Sequence, residues 1–196
     1  HLELSEPANF IAGSFLNIFI DKAGEKIRRA YSISSSESDQ LHITLTIRLS
    51  PTGTISPLFW NTDMIGQTLE LMGPLGLNTA DKMQQENVYL FAFGVGAGVV
   101  KSIADYFTNI KKIKKLTIVT GSKYEDEILY KEYFNSLAKT IPNVSVSHIV
   151  SRSKQDANTK SGHIQDRLQE YDFNNADVYA CGQEAACLDL VKKIKL

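Results

Sequence analysis

A short stretch in the first part of the chain carries side chains that together could hold a ligand with a phosphate and a flat ring. Residues 28–34 place arginine, tyrosine and serine on one extended segment. Because side chains alternate along a strand, Arg29 and Tyr31 share one face. Arg28 and Ser32 lie on the other face, so Arg28 is expected to be solvated. A guanidinium binds phosphate bidentately, and a tyrosine ring can cover a heterocycle. Taken alone, the stretch is more typical of an ordinary exposed strand.

A second candidate, at residues 53–56, follows one hairpin later. Ser56 is the type of residue that caps a helix, and Pro57 the type that begins one. Free N–H groups at a helix start attract anions, and Gly53 would let the backbone approach them closely. Plain capped turns are far commoner than phosphate sites, so the segment gains weight only from its closeness to Arg29. Together the two segments predict a phosphate cradle.

A third candidate is the run of alternating glycines Gly94, Gly96 and Gly98. The run follows an apolar segment and precedes a helical pattern, where glycines let a dinucleotide approach the backbone at a helix N-terminus. The spacing is not G-x-G-x-x-G, and residues 120–123 offer no acidic side chain at the end of the next strand. Glycines also occur at such junctions for packing alone, but three of them favour the ligand interpretation.

Two later strand ends could complete a nucleotide site. Ser151 and Arg152 close one strand, where a serine–arginine pair would clamp a phosphate monoester, and Lys123 and Lys160 could add charge. A solvated polar loop over residues 151–161 explains the same pattern about equally well.

The last predicted strand ends at Cys181 and Gly182, at the rim where the reactive end of a ligand would lie. A lone cysteine is more often a small buried residue than a reactive one. Cys187 is interpreted as a core residue of the following helix.

The pattern of elements changes from β in the first half to alternating β and α in the second. Strands are predicted at 15–20, through Tyr31 and Ile33, at 41–49 and at 67–72, with a turn-rich exit at 73–78 and a linker at 79–87. Several short strands of this kind indicate a small antiparallel barrel or sandwich. In the second half, strands are predicted at 88–93, 116–120, 144–150 and 177–181, and helices at 99–110, 126–140, 164–169 and 184–194. This alternation predicts a doubly wound parallel sheet.

The composition excludes several classes of function. Hydrophobic residues make up 43% of the 196 residues and charged residues 22%, as in ordinary soluble proteins. A formal net charge of −1 gives no reason to expect nucleic acid or an anionic membrane as a partner. Two cysteines are too few for a disulfide scaffold or a four-cysteine metal site, and the four histidines show no ligand spacing. We therefore expect no metal, a reducing, cytoplasmic setting and a monomer.

Short motifs in a fixed order connect these candidates. They are Arg29-Ala30-Tyr31-Ser32, Gly53-Thr54-Ile55-Ser56, Gly73-Pro74-Leu75-Gly76, the loop from Gly94 to Val99, Gly121, Ser151-Arg152 and Cys181-Gly182. In these residues, and over nearly its whole length, the chain resembles the ferredoxin–NADP reductase superfamily of flavoprotein reductases. The resemblance implies an FAD-binding β-barrel domain over residues 1–86 and an NAD(P)-binding α/β domain over residues 87–196.

The resemblance also implies roles for single residues. The predicted FAD ligands are Arg29, Tyr31, Ser32, Gly53, Thr54, Ile55 and Ser56. The predicted NAD(P)H ligands are Gly94, Gly96, Ala97, Gly98, Ser151, Arg152, Cys181 and Gly182. Catalytic roles fall to Ser32, near the reactive nitrogen of the flavin, and to Cys181, beside the nicotinamide. The Ser151–Arg152 pair matches the one that binds the extra phosphate of NADP(H), which favours NADPH over NADH.

The implied activity is hydride transfer from NAD(P)H to FAD, followed by single-electron transfer to a ferredoxin, flavodoxin or iron–sulfur partner. A reductase component of a multi-domain oxygenase and a flavin-holding redox sensor with little turnover stay open as alternatives. Val99 and Gln183 stand where the family usually has proline, which is expected to loosen both loops. The family's first barrel strand and the end of its sheet domain are expected to be missing from this chain.

Overall fold

The first half of the chain is antiparallel β structure with one short helix. The computed structural model describes residues 1–22, 24–61, 63–111, 113–152 and 159–194. The elements of the first half are β1 (Leu2–Glu3), β2 (Phe15–Lys22), β3 (Glu25–Ser32), β4 (His42–Ile43), α1 (Ser56–Asn61) and β5 (Glu70–Leu75). β2 lies at the centre of a three-stranded sheet of order β3-β2-β5, and β1 pairs with β4. The buried core of this half contains Phe10, Leu16, Ile18, Ile33 and Ile43.

The predicted long strand at 41–49 is mostly wrong. β4 covers two of its residues, and further along a single bridge joins Leu45 to Ile33. The Thr44 carbonyl accepts a 2.7 Å hydrogen bond from the Ser34 N–H, in the loop after β3. The alternation of apolar and polar residues therefore indicates that the segment has one apolar and one polar face. It does not require a continuous ladder, because loop residues satisfy part of its backbone.

The second half is a five-stranded parallel sheet with helices packed on it. Its elements are β6 (Asn87–Phe93), α2 (Ala97–Asn109), β7 (Lys115–Ser122), α3 (Lys131–Thr140), β8 (Val144–Val150), β9 (Lys160–Ser161), β10 (Ala176–Cys181) and α4 (Glu184–Ile194). The strand order is β10-β6-β7-β8-β9. An antiparallel barrel-type half followed by a parallel α/β half confirms the predicted fold class.

The order of strands fixes where the parallel sheet can bind a ligand. From β6 the chain winds outward through β7 and β8, and it then returns to the other side of β6 with β10. Between β6 and β10 the winding direction reverses, and the loops after these two strands separate to leave a crevice. Those loops begin at Gly94 and Gly182, two of the predicted site residues.

Several elements differ from the sequence-based expectation, and the helix predicted at 164–169 is a 3₁₀ helix at Ile164–Glu170. The helix predicted at 126–140 is divided into a 3₁₀ turn at Glu125–Glu127 and α3, because Tyr130 adopts a left-handed conformation with φ 57°. The strand predicted at 67–72 lies at β5, so the turn expected from residue 73 begins at Gly76, where φ is 126°. In the described parts of the chain, no helix has both the length and the apolar character needed to cross a membrane.

Candidate functional site

A cleft of about 230 Å³ lies where the two halves meet. The first half contributes Tyr31, Ser32 and Arg48 to its lining, and the second half contributes Gly96 and the Cys181–Gly182 pair, among others. Sequence motifs that are far apart in the chain therefore line one space. This is the space to which the carboxyl ends of β6 and β10 point, as expected for a parallel sheet.

The Tyr31 side chain forms part of the first wall of the cleft. Its ring packs edge-on against Phe59 of α1, with the ring centroids 6.2 Å apart. Partial burial raises the pKa of the Tyr31 phenol, although Arg29 opposes this, so the ring stays neutral near neutral pH. The neighbouring Ser32 is exposed and also lines the cleft. This wall offers an aromatic surface beside a free hydroxyl.

The two predicted phosphate segments lie side by side. The Arg29 guanidinium donates to the Thr54 hydroxyl at 3.5 Å and to the Arg28 carbonyl at 2.8 Å. In the described residues no carboxylate forms a salt bridge with Arg29, whose side chain is exposed. An exposed cation is therefore held next to residues 53–56 with its charge uncompensated.

Ser56 differs from the predicted N-cap. α1 begins at Ser56 itself, and its hydroxyl accepts from the Ser50 N–H at 3.0 Å and donates to the Ser50 carbonyl at 3.2 Å. A Cβ added at Gly53 would lie 2.9 Å from the Ser56 hydroxyl oxygen. Ser56 therefore closes the loop before the helix instead of capping it, and Gly53 is required by that closure. Ile55 is buried, so its side chain belongs to the core.

The three glycines of the predicted nucleotide loop serve different purposes. At Gly96, a Cβ would lie 2.0 Å from the Cys181 carbonyl oxygen, so the β6 and β10 loops touch through their backbones. At Gly98, a Cβ would lie 2.5 Å from the hydroxyl oxygens of Ser34 and Thr46 in the first half. Gly94 has φ 56° and nothing within 4 Å of an added Cβ. Packing explains two of these glycines, and the third faces open space. Ala97, the first residue of α2, is buried.

Cys181 and Gly182 form the part of the cleft opposite β3. Burial, followed by the neighbouring Cys187, raises the pKa of the Cys181 thiol to about 11. The thiol is therefore protonated near neutral pH and is a poor nucleophile. Gly182 has φ 135°, and a Cβ there would lie 2.1 Å from the Phe93 carbonyl oxygen. This corner of the cleft is a tight backbone contact that carries a neutral thiol.

Ser151 and Arg152 follow β8 and do not line the cleft. The Arg152 guanidinium donates to the Tyr124 hydroxyl at 3.3 Å and lies 6.0 Å from the centre of that ring. These contacts raise the pKa of Arg152, whose side chain is exposed. Lys160 forms a 2.5 Å ion pair with Glu170 and so contributes little free charge. Residues 153–158 of the predicted polar loop lie outside the described residues.

Several residues of the site escaped sequence reasoning. Arg48 adds a cation to the cleft lining, which does not include Arg29, and Tyr124 adds an aromatic ring beside Arg152. Thr46 and Tyr130 meet across the boundary of the two halves through a 2.6 Å hydrogen bond. Arg48 and Thr46 lie on the same face of the alternating segment 41–49. That shared polar face was the sequence feature that could have identified them. Tyr130 gave no signal, because its contact spans 84 positions.

Comparisons with known proteins agree with this architecture. The family model for the oxidoreductase FAD-binding domain matches residues 1–79, and that for the oxidoreductase NAD-binding domain matches residues 90–191. The glycine betaine monooxygenase reductase subunit of Pseudomonas aeruginosa is 28% identical over 178 residues, covering 88% of this chain and 49% of that protein. Ferredoxin–NADP reductase B of Sorangium cellulosum is 25% identical over 161 residues, covering 82% and 66% respectively.

A solved structure shares the fold over almost the whole chain. The ferredoxin NADP⁺ reductase of Neisseria gonorrhoeae, with bound FAD and NADP, superimposes with a TM-score of 0.84 at 17% identity and covers 98% of this chain and 82% of its own. The chain spans about half the length of the first curated relative. Two consecutive domain matches, one extending over more than half of the chain, are sufficient evidence of descent. The chain belongs to the ferredoxin reductase-like superfamily of FAD- and NAD(P)-binding oxidoreductases.

Proposed function

We propose that this chain carries the catalytic part of an NAD(P)H-dependent flavoprotein reductase, which passes single electrons to a ferredoxin, flavodoxin or iron–sulfur partner. The observation that carries the proposal is the cleft, in which Tyr31 and Ser32 stand opposite Gly96 and Cys181. When bound, FAD and the nicotinamide supply hydride and electron transfer, while the protein orients them and excludes water. The division between the FAD-binding and NAD(P)-binding domains is inferred at residues 86 and 87.

The residues of the first half fit a flavin nucleotide. Arg29 lies next to residues 53–56 and has no carboxylate partner among the described residues, so a pyrophosphate would supply its counter-charge. The neutral, half-buried ring of Tyr31 would cover a flat heterocycle. The hydroxyl of Ser32, an exposed residue that lines the cleft, would hydrogen-bond to the edge of that ring.

The residues of the second half fit a nicotinamide nucleotide. Open space at Gly94 would admit a pyrophosphate to the backbone, and the protonated Cys181 would pack against the nicotinamide without exchanging a proton. Arg152, supported by Tyr124 and next to Ser151, would bind the extra phosphate of NADPH. We therefore infer NADPH as the preferred coenzyme, with NADH as the alternative.

Anaerobic reduction tests the activity. Protein reconstituted with FAD is mixed with NADPH without oxygen, and the visible absorbance of the flavin is followed. We expect the visible absorbance to disappear after mixing, because NADPH reduces the flavin. A flavin that binds but keeps its absorbance would contradict the reductase and favour a redox-sensing subunit. A protein that binds no flavin after reconstitution would contradict both.

Coenzyme choice is tested by Arg152→Ala, with Lys139→Ala as a control that removes another cation of the same half. Loss of a charge-assisted phosphate contact costs about 1.5–3 kcal/mol, which is roughly a 10- to 100-fold weaker apparent affinity for NADPH. NADH lacks that phosphate, so its apparent affinity should be unchanged. An unchanged affinity for NADPH would refute the assignment of Arg152.

The reductase component of an oxygenase is the second candidate. It is favoured by the 28% identity to the glycine betaine monooxygenase reductase subunit over 178 residues. The two free cysteines support a reducing setting such as the cytoplasm, and we infer a monomer. Electron transfer from the NADPH-reduced protein to a small iron–sulfur protein, followed by absorbance, would discriminate a partner-specific reductase from a sensor.

A further inference from the structure

Three hydroxyl groups join the two halves of the molecule beside the cleft. The Ser34 and Thr46 hydroxyl oxygens are 2.8 Å apart, and those of Thr46 and Tyr130 are 2.6 Å apart. Ser34 and Thr46 belong to the first half and also line the cleft, whereas Tyr130 immediately precedes α3 in the second half. We call Ser34, Thr46 and Tyr130 the domain bridge.

Thr46 is the central member of the domain bridge. A hydroxyl has one proton and two acceptor lone pairs, so Thr46 can bond to both neighbours at once, either by accepting from both or by donating to one and accepting from the other. Both hydrogen bonds therefore depend on a single side chain. Valine has nearly the same shape as threonine and cannot take part in either bond, which makes Thr46→Val a specific way to break the bridge.

Tyr130 reaches the bridge through an unusual backbone conformation. Its φ of 57° is left-handed, which costs a non-glycine residue about 1–2 kcal/mol. Its ring packs edge-on against Phe134 of α3, with the centroids 6.4 Å apart. A bulky residue is thus held in a disfavoured conformation where its hydroxyl meets the first half. Such outliers persist only where surrounding contacts determine them.

The first turns of α2 dock at the same place. A Cβ at Gly98 would lie 2.5 Å from both the Ser34 and the Thr46 hydroxyl oxygens, so the helix contacts the domain bridge without a side chain between them. One turn later, the buried Ser102 hydroxyl donates to the Ser35 carbonyl at 2.7 Å. The helix that follows the glycine loop is therefore fixed against the first half at two points.

We propose that the domain bridge positions the two walls of the cleft for hydride transfer, with Thr46 and Tyr130 as positioning residues. Gly96 is two residues from Gly98, so movement of α2 away from the bridge would carry Gly96 away from Ser32. The inference rests on the proposed function, because the separation of the walls matters only if nicotinamide and flavin meet between them. A displacement of about 1 Å between reacting groups can lower a rate by about 100-fold.

The first part of the test uses the full chain without cofactor. Urea unfolding is followed by the fluorescence of Trp60, the single tryptophan, which lies in the first half, and by far-UV circular dichroism, which reports mainly on the helices of the second half. Thr46→Val and Tyr130→Phe should separate the two midpoints further than in wild type. Tyr133→Phe is the matched control, since its hydroxyl bonds to Asp105 within the second half. It should lower stability without separating the midpoints.

The second part follows flavin reduction by saturating NADPH in the same variants. We expect Thr46→Val and Tyr130→Phe to slow reduction by about 10-fold or more while FAD affinity stays within about twofold of wild type. Thr46→Ser keeps the hydroxyl and should restore most of the rate. Tyr133→Phe should reduce its flavin at nearly the wild-type rate.

Unchanged midpoint separation in both bridge variants would overturn the proposal, as would separated midpoints with an unchanged reduction rate. If the wild type itself does not bleach with NADPH or NADH, the proposed function fails and this inference falls with it. Bleaching in the wild type with unaffected variants would refute the bridge alone.

Discussion

The two walls of the cleft are built in different ways. The wall from the parallel sheet depends on backbone contacts: the loops after β6 and β10 touch at Gly96, Cys181 and Gly182, where an added Cβ would lie about 2 Å from a carbonyl oxygen. The antiparallel half depends on side chains: the half-buried Tyr31 lines the cleft, and the exposed Arg29 lies two residues before it on β3, outside the cleft lining. Substitutions in the wall from the parallel sheet should therefore disturb the fold, and we call it the rigid wall. Substitutions in the wall from the antiparallel half should change ligand binding more than stability, and we call it the adjustable wall.

The largest expected effect is on the rigid wall. Gly96 has φ −58°, which any residue can adopt, so only lack of space requires glycine there. Gly96→Ala should reduce the free energy of unfolding by at least about 3 kcal/mol, because backbone atoms cannot move aside. Gly94→Ala is the matched control, since it meets no atom within 4 Å and should cost only about 1–2 kcal/mol for its left-handed conformation. Equal losses in urea unfolding would contradict the packing explanation.

A smaller and different effect is expected on the adjustable wall. Arg29→Ala should weaken FAD binding by about 10- to 100-fold, since the guanidinium lies beside Thr54 and forms no salt bridge with a carboxylate of the described residues. Stability without FAD should stay within about 0.5 kcal/mol, because the side chain is exposed. Arg28→Ala removes the neighbouring arginine and should leave FAD affinity nearly unchanged. Isothermal titration of the three proteins with FAD measures this, and equal losses in both variants would remove the distinction between the two arginines.

The smallest effect concerns pH and should be confined to the sheet half. His148 is buried between the Thr120 hydroxyl, 2.7 Å from Nδ1, and Asn135, 3.1 Å from Nε2. Burial, and then Lys131, lower its pKa, although Glu132 opposes them. The unfolded state therefore binds the proton more readily. His148 contributes stability above its ordinary pKa of 6.5, and that stability is lost as pH falls below it.

Urea midpoints between pH 7 and pH 5 measure this dependence. The midpoint reported by circular dichroism should fall with pH more in wild type than in His148→Gln, which cannot titrate. If the urea midpoint changes with pH equally in both proteins, groups other than His148 cause the loss of stability at low pH.

Much of the architecture could be predicted because its signals are local. The continuous apolar run of β6 and the helical spacing in α2 identify a parallel sheet, and the alternating motifs around Tyr31 identify an extended strand. The division of the helix predicted at 126–140 could not be foreseen, because Tyr130 leaves the helical conformation to make a tertiary contact. Tertiary contacts override local propensity in this way.

Sequence spacing singled out some of the residues that line the cleft, such as Tyr31, Ser32 and Gly96, but not the contacts that each position makes. Spacing suggested that all three glycines admit a nucleotide, whereas Gly96 and Gly98 are also required by contacts with β10 and the first half. Ser56 looked like a helix cap, but its hydroxyl partner lies at Ser50, outside the helix. Sequence spacing cannot distinguish these alternatives. A glycine is found both where a ligand approaches the backbone and where two chain segments pack closely, and a serine is found both at helix caps and in loop closures.

The claim that the two walls hold nicotinamide and flavin face to face is tested most directly by hydride transfer from stereospecifically labelled coenzyme. NADPH deuterated at one or the other of the two C4 positions is mixed anaerobically with FAD-loaded protein in a stopped-flow instrument. A fixed nicotinamide presents one face, so one labelled coenzyme should slow flavin bleaching and the other should not. Equal rates with both labels, or bleaching no faster than that of free FAD, would contradict this account of the cleft.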